Sequence, residues 1–296
     1  MELIHKFVKH NNISHEVISP LTGIGYKMRL LIANIITISC FIALPAIGHE
    51  FWIEPKKYTL VQGDILSASL FVGQDFTGYE MPYIENNFTR FEIISSKGVQ
   101  QINGRIGDRP ALNVIPLHGG LSVILHQSTA TYLTYNNFDK FISFAKEKGF
   151  PEIPSQHLAA KYPKTGFKES YTRFAKSYVL VRNSNGADKY SGMELEWVME
   201  NTDLSNTFEG QFEFTLYYDG KPNPNAQLSI FAKDSEGDVQ KSIGKTDQYG
   251  KFILHTNPDT RYLIDSVIIR KMDPSLNPEG AIWESLWASA TFKTDR

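Results

Sequence analysis

Apolar residues along this chain recur mostly at every second position, in short runs closed by glycine, asparagine or aspartate. Tyr58–Val61 ends at Gly63-Asp64, and Ile65–Val72 ends at Gly73. Phe88–Ser95 sets Phe91 and Ile93 on one face. Gly119-Gly120 opens Leu121–His126, where Leu121, Val123 and Leu125 alternate with Ser122, Ile124 and His126. Beyond residue 205 the same period returns in Gln211–Tyr217, Ala226–Ala232, Lys251–His255 and Arg261–Arg270. Alternation of this kind, punctuated by turn residues, marks half-buried strands of an antiparallel sandwich or barrel.

The middle of the chain changes period. Phe138, Phe141, Ile142 and Ala145 recur at helical spacing between Asn137 and Gly149. Asn136 or Asn137 caps the start, Gly149 closes the end, and Pro151 blocks continuation. Phe167, Tyr171, Phe174 and Tyr178 read as a second helical stripe through Lys168–Lys176, packed against the sandwich. The expected fold is all-β: two antiparallel β-sandwich domains, the first with one or two inserted helices. The polar stretch Asn201–Asn206 is the expected boundary, dividing residues 49–204 from residues 205–296.

The first 48 residues form a separate segment. Leu30–Leu44 is an apolar run preceded by Lys27 and Arg29. It is short for a membrane span, which needs roughly twenty residues, and suits the core of a signal peptide. Pro45 breaks the run, and the small residues Ala46 and Gly48 predict cleavage between Gly48 and His49. Residues 1–27 are either an extension upstream of a start at Met28 or a long positive leader. The single cysteine, Cys40, leaves with the signal, so an exported mature chain relies on its core rather than on disulfides.

Composition narrows the function by exclusion. The chain has 296 residues, 42% hydrophobic and 21% charged, which excludes a disordered, collagenous or coiled-coil protein. Thirty basic against 32 acidic residues leave no electrostatic footprint for nucleic acid. Phosphate loops, dinucleotide glycine fingerprints and nucleophile elbows are missing from the sequence, and His49-Glu50-Phe51-Trp52-Ile53 lacks the second histidine of a zincin. The reading is of a binding protein, not an enzyme.

One feature carries chemistry. Cleavage before His49 would free an α-amine, with a pKa near 8, beside an imidazole, with a pKa near 6.5. Both bind one ion near neutral pH, closing a chelate ring. A second imidazole, from His118, His126, His157 or His255, would complete a three-nitrogen site suited to copper or nickel. Glu50 and Glu54 can add oxygen. The plainer reading leaves His49 as the residue after the cut, free in solvent.

The segment His49-Glu50-Phe51-Trp52-Ile53-Glu54-Pro55 resembles the mature start of the domain-of-unknown-function 4198 family, bacterial exported proteins also described as periplasmic components of cobalt/nickel transport. Glu169-Ser170-Tyr171-Thr172-Arg173-Phe174-Ala175-Lys176 is similar to its central helix-to-strand segment. Trp283–Phe292 is similar to its C-terminal ending. Asp219-Gly220-Lys221-Pro222 and Thr246-Asp247-x-x-Gly250-Lys251-Phe252 also resemble turns of prealbumin-like or carboxypeptidase-regulatory-like modules. The resemblance implies a periplasmic protein that binds nickel, cobalt or copper for uptake and passes it to a membrane transporter. The metal ligands expected are His49 with His118, His126 or His255. One rival expectation is a non-metal envelope module that grips a glycan or protein through Tyr79, Tyr83 or Trp283. Another is a copper oxidoreductase of the histidine-brace kind, which needs a second histidine.

Overall fold

A computed structural model describes residues 49–182, 186–201 and 210–294. The expected signal segment, Cys40 included, lies outside these residues, as does all of the expected boundary beyond Asn201. In chain order the elements are β1 (Glu50–Pro55), β2 (Thr59–Leu60), β3 (Leu66–Gln74), β4 (Thr77–Met81), β5 (Phe88–Ser95), β6 (Gly98–Gln101), β7 (Leu112–Val114), β8 (Gly120–Ser128) and β9 (Thr131–Tyr135). The helices α1 (Phe138–Glu147) and α2 (Ile153–Ala159) follow, then β10 (Phe167–Val181) and β11 (Leu195–Met199). The remaining strands are β12 (Gln211–Tyr218), β13 (Lys221–Pro222), β14 (Gln227–Lys233), β15 (Val239–Lys245), β16 (Lys251–His255), β17 (Arg261–Lys271) and β18 (Trp283–Lys293).

These strands stack as three layers. A central sheet runs β15-β14-β17-β18-β10-β8-β5-β6, with β2 and β9 also paired to β10. Strands from both sides of residue 204 enter it. One face is covered by β1, β3, β4 and β7, the other by β11, β12, β13 and β16. The architecture is all-β and sandwich-like, as the alternation predicts. Among the described residues no helix is long and apolar enough to cross a membrane.

β10 lies at the middle of this stack and is buried on both faces. Successive side chains of a strand point to opposite faces. Phe174 and Tyr178 therefore pack with Trp197, Phe214 and Leu216 of one outer layer, while Ala175, Val179 and Val181 pack with Phe51, Ile53 and Leu70 of the other. This corrects the expected second helix over Lys168–Lys176. Phe167 and Tyr171 face one way, Phe174 and Tyr178 the other. Taken together, the two sets imitate helical spacing. β18 runs parallel to β10, pairing Glu169 with Trp283 and Arg173 with Trp287.

The first helix forms where its pattern places it. The Asn137 side chain accepts from the Asp139 backbone N–H at 2.8 Å, satisfying one orphan donor of the helix start. Phe141, Phe144 and Ala145 bury against Phe167, Trp283 and Trp287. The first helix ends at Glu147, ahead of Gly149 and Pro151 as expected, and the second helix is α2, over residues the sequence reading assigned to no element. Pro154 sits in its first turn, where a missing N–H removes no bond.

The β3–β4 hairpin carries one face of the site described below. A Cβ on Gly73 would lie 2.0 Å from the Thr77 carbonyl oxygen, and one on Gly78 would meet the Trp52 ring at 2.9 Å. Phe76, at the hairpin tip, has φ of 57°, a conformation costly for a bulky residue. Burial of its ring, edge-on to Trp52 at 5.4 Å, holds it there.

A buried ion triad ties helix to sheets. Lys148 follows α1, and its Nζ lies 3.1 Å from Glu50 Oε1 on β1 and 3.3 Å from Asp265 Oδ2 on β17. The Trp287 ring lies 4.7 Å from the same ammonium. Removing the cation strands two buried carboxylates, so Lys148→Ala should lower the unfolding free energy by about 3–5 kcal/mol. Breaking the exposed Lys168–Glu279 pair by Lys168→Ala should cost at most about 1 kcal/mol. Urea denaturation of the two variants checks the contrast.

Candidate ligand cavity

Beside His49 the first outer layer and the central sheet form an open cavity of about 280 Å³. Its roof comes from His49, from Val72 on β3, and from Tyr79 and Met81 on β4. Its floor comes from Leu133 and Tyr135 on β9, Glu169, Tyr171 and Arg173 on β10, and Trp287 on β18. Strand alternation dictates this set: residues 169, 171 and 173 share one face of β10. Tyr79 is 59% exposed and marks the mouth.

Glu169 is fully enclosed. It accepts hydrogen bonds from the Tyr135 hydroxyl at 2.8 Å and from the Ser285 hydroxyl, which in turn accepts from the Trp287 indole N–H at 2.9 Å. Burial pushes its carboxyl up to about 7, against the pull of those two donors. Arg173 donates from Nη2 to the His49 carbonyl oxygen at 3.2 Å and lies over the Tyr171 ring at 4.7 Å. Burial lowers its pKa, and its Nε is buried with no hydrogen-bond partner among the described residues. Asp265, behind this wall, is raised to about 6 by burial, with Lys148 opposing the shift.

The four expected histidine ligands take different places. His49 lines the cavity, half-buried, and its Nδ1 has no hydrogen-bond partner among the described residues. His126, on β8, is enclosed by Phe51, Phe88 and Phe91, with ring centroids 4.8–5.5 Å away. Burial and the nearby Arg173 charge push its pKa down to about 3, which keeps it neutral. Arg173 thus links these two histidines. His118 lies in the β7–β8 connection beside Ile93 and Leu117. His255 ends β16, exposed on the opposite outer layer, facing Gln211. Among the described residues no group of three His, Cys, Asp or Glu side chains is placed to hold a metal ion.

His157, also weighed as a partner, is a packing residue. Its Nε2 meets the Pro163 carbonyl at 2.9 Å and its Nδ1 accepts from the Trp283 indole at 2.9 Å. Glu50 and Glu54 bond Lys148 and Arg261 respectively. Of the three aromatics expected at an exposed grip, Tyr79 is exposed, whereas Tyr83 and Trp283 are buried in the core. A wider groove of about 490 Å³ lies beside Lys56, Asp234 and Lys293, but Arg261 and Lys293 on its wall are paired to Glu54 and Asp259.

The sequence reading missed Glu169, Arg173, Tyr135 and Lys148. The signal for two of them was present in Glu169–Lys176, where charged residues interrupt an apolar run. Read as a strand, that run sends Glu169 and Arg173 to one layer and Lys176 to the other.

Fold and cavity define an all-β, sandwich-like protein with an open cleft of about 280 Å³. The chain belongs to the family described as Domain of unknown function (DUF4198), whose model matches residues 46–270. No curated protein matches its sequence. Among solved structures it is similar to a tetra-tandem repeat in the extending region of a large adhesion protein, at 12% identity and a TM-score of 0.20. That match covers 83% of this chain and 49% of the other, so the chain spans about half the length of that structure. It is also similar to the D0-D1 domain of intimin, at 12% identity and a TM-score of 0.18, covering 83% of this chain and 98% of that one. Scores this low carry no argument about function.

Glu169 makes stability depend on pH with a definite sign. Its folded pKa is raised from 4.5 to about 7, so its contribution is complete below 4.5 and is lost as pH rises through about 7. The loss amounts to roughly 3 kcal/mol. Glu169→Gln should remove that slope, so stability measured by denaturation from pH 5 to 8 falls less in the variant than in the wild type.

Proposed function

We propose that this protein is an exported, non-catalytic binding protein whose ligand site is the cavity beside His49. The observation that carries the reading is the lining of this open cleft. Tyr79, Tyr135, Tyr171 and Trp287 wall a space of about 280 Å³, with Glu169 and Arg173 placed among them. A concave, mostly apolar space with a few convergent polar groups is the usual form of a small-ligand site. Export is supported by the apolar run Leu30–Leu44 and the small residues before His49, and by a family match that begins at residue 46.

The test is a thermal-shift screen of small organic molecules against the wild type and a Met81→Trp variant that fills the cavity. Compounds that raise the melting temperature of the wild type should leave the filled variant unmoved. Equal shifts in both would place binding elsewhere and sink this reading.

One observation favours the transition-metal reading: the unpartnered, buried Nδ1 of His49. The Arg173 cation against the His49 carbonyl weighs against an ion there, because like charges repel strongly in a partly buried site. Calorimetry of a chain beginning at His49 with Ni²⁺, Co²⁺ and Cu²⁺ separates the two. The cavity reading predicts the same weak response in a control carrying an extra alanine before His49. Tight one-to-one binding lost in that control would restore the metal site, with transfer to a membrane transporter as its use.

A further inference from the structure

We infer that the ligand of this cavity carries a carboxylate on a flat apolar body, and that Arg173 is the residue that holds the carboxylate; this rests on the reading of the cavity as the ligand site.

The first argument is an inventory of buried cations. Lys148 holds Glu50 and Asp265, and Lys176 holds Asp188 at 2.9 Å and Glu196 at 2.6 Å. Each deeply buried ammonium is thus matched by two carboxylates. Arg173 forms no ion pair among the described residues. Its guanidinium meets the neutral His49 carbonyl oxygen and the Tyr171 side chain, and its Nε has no hydrogen-bond partner among the described residues. Arg173 is half-buried, and a guanidinium offers five N–H donors in a rigid fork that fits a carboxylate's two oxygens.

Neighbouring acids do not fill the role. Glu169 shares the cavity, but both its oxygens are already engaged by Tyr135 and Ser285, and burial holds it toward the protonated form. Asp265 bears on Arg173 only through space, since its contact is with Lys148. The cleft therefore presents a guanidinium that no described carboxylate touches; the Lys148 cluster, one negative charge in excess, offsets it only through space.

The second argument is shape. The other walls are mainly rings: Tyr79, Tyr135, Tyr171 and Trp287. Flat apolar groups stack on such faces, and a space near the small end of ligand pockets suits one or two fused rings. An acid group at one end of such a body would reach Arg173 while the body lies against the rings.

Calorimetry of the purified protein with two matched pairs tests this: benzoate against benzamide, and 2-naphthoate against 2-naphthamide. Each pair keeps the shape and removes the charge. We expect the carboxylate of at least one pair to bind about tenfold or more tightly than its amide, as a charge-assisted hydrogen-bond pair implies. Arg173→Met should abolish that preference, Arg173→Lys should retain part of it, and Tyr79→Ala should weaken acid and amide alike. If amides bind as well as acids, or Arg173→Met keeps the preference, the carboxylate inference fails while the cavity stands. If neither acids nor amides bind, both fail. Should the Arg173 variants not fold, the wild-type acid-to-amide ratio still decides.

Discussion

Burial of β10 on both faces is the constraint on which this structure depends. Parallel pairing to β18, antiparallel pairing to β8 and β9, and an outer sheet on either side bury most of this strand on both faces. From Phe174 to Val179 every residue must then suit one of two interiors. Its apolar residues build two separate cores, and its charged residues each require a solution of their own. Lys176 finds Asp188 and Glu196 in one layer. Glu169 and Arg173 point into the other, where the layers do not close and a cavity remains.

That cavity owes its form to how the first outer layer is anchored. β1 is tied down by the Ser289 and Thr291 hydroxyls, which donate to the carbonyls of Phe51 and Ile53 at 2.6 Å, and by Glu50 through Lys148. The β3–β4 hairpin extends from it, with two glycines permitting the close approach that brings Tyr79 and Met81 over β10. His49 enters the site because it directly precedes β1, and its carbonyl accepts a hydrogen bond from the Arg173 guanidinium. Position in the chain and position in the site are therefore linked, and any change of backbone at His49 reaches Arg173 directly.

Much of the fold was legible in the sequence, because strands with one wet face write their burial as a simple alternation. β5, β12 and β16 fall almost where that alternation puts them, and Asn137 caps α1 as its residue type suggests. The failures share a cause. β10 and β18 lack a wet face, so their apolar residues fall on both parities and the period disappears. α2 was hidden by two prolines, one of which starts it. The site was half visible. His49 stood out by its place after the expected cut, and it does line the cavity. Its partners there, Glu169 and Arg173, lie more than a hundred residues away and are brought to it by sheet register, which a single sequence does not display. His118, His126 and His255 were candidates by residue type alone, and the layers send them to three different environments.

The most direct measurement is a crystal structure of the protein soaked with 2-naphthoate. This account predicts density for the ring system between Tyr79 and Trp287, with the carboxylate within hydrogen-bond distance of the Arg173 guanidinium. A ligand bound elsewhere, or a metal ion held by His49 with Arg173 turned away, would contradict it.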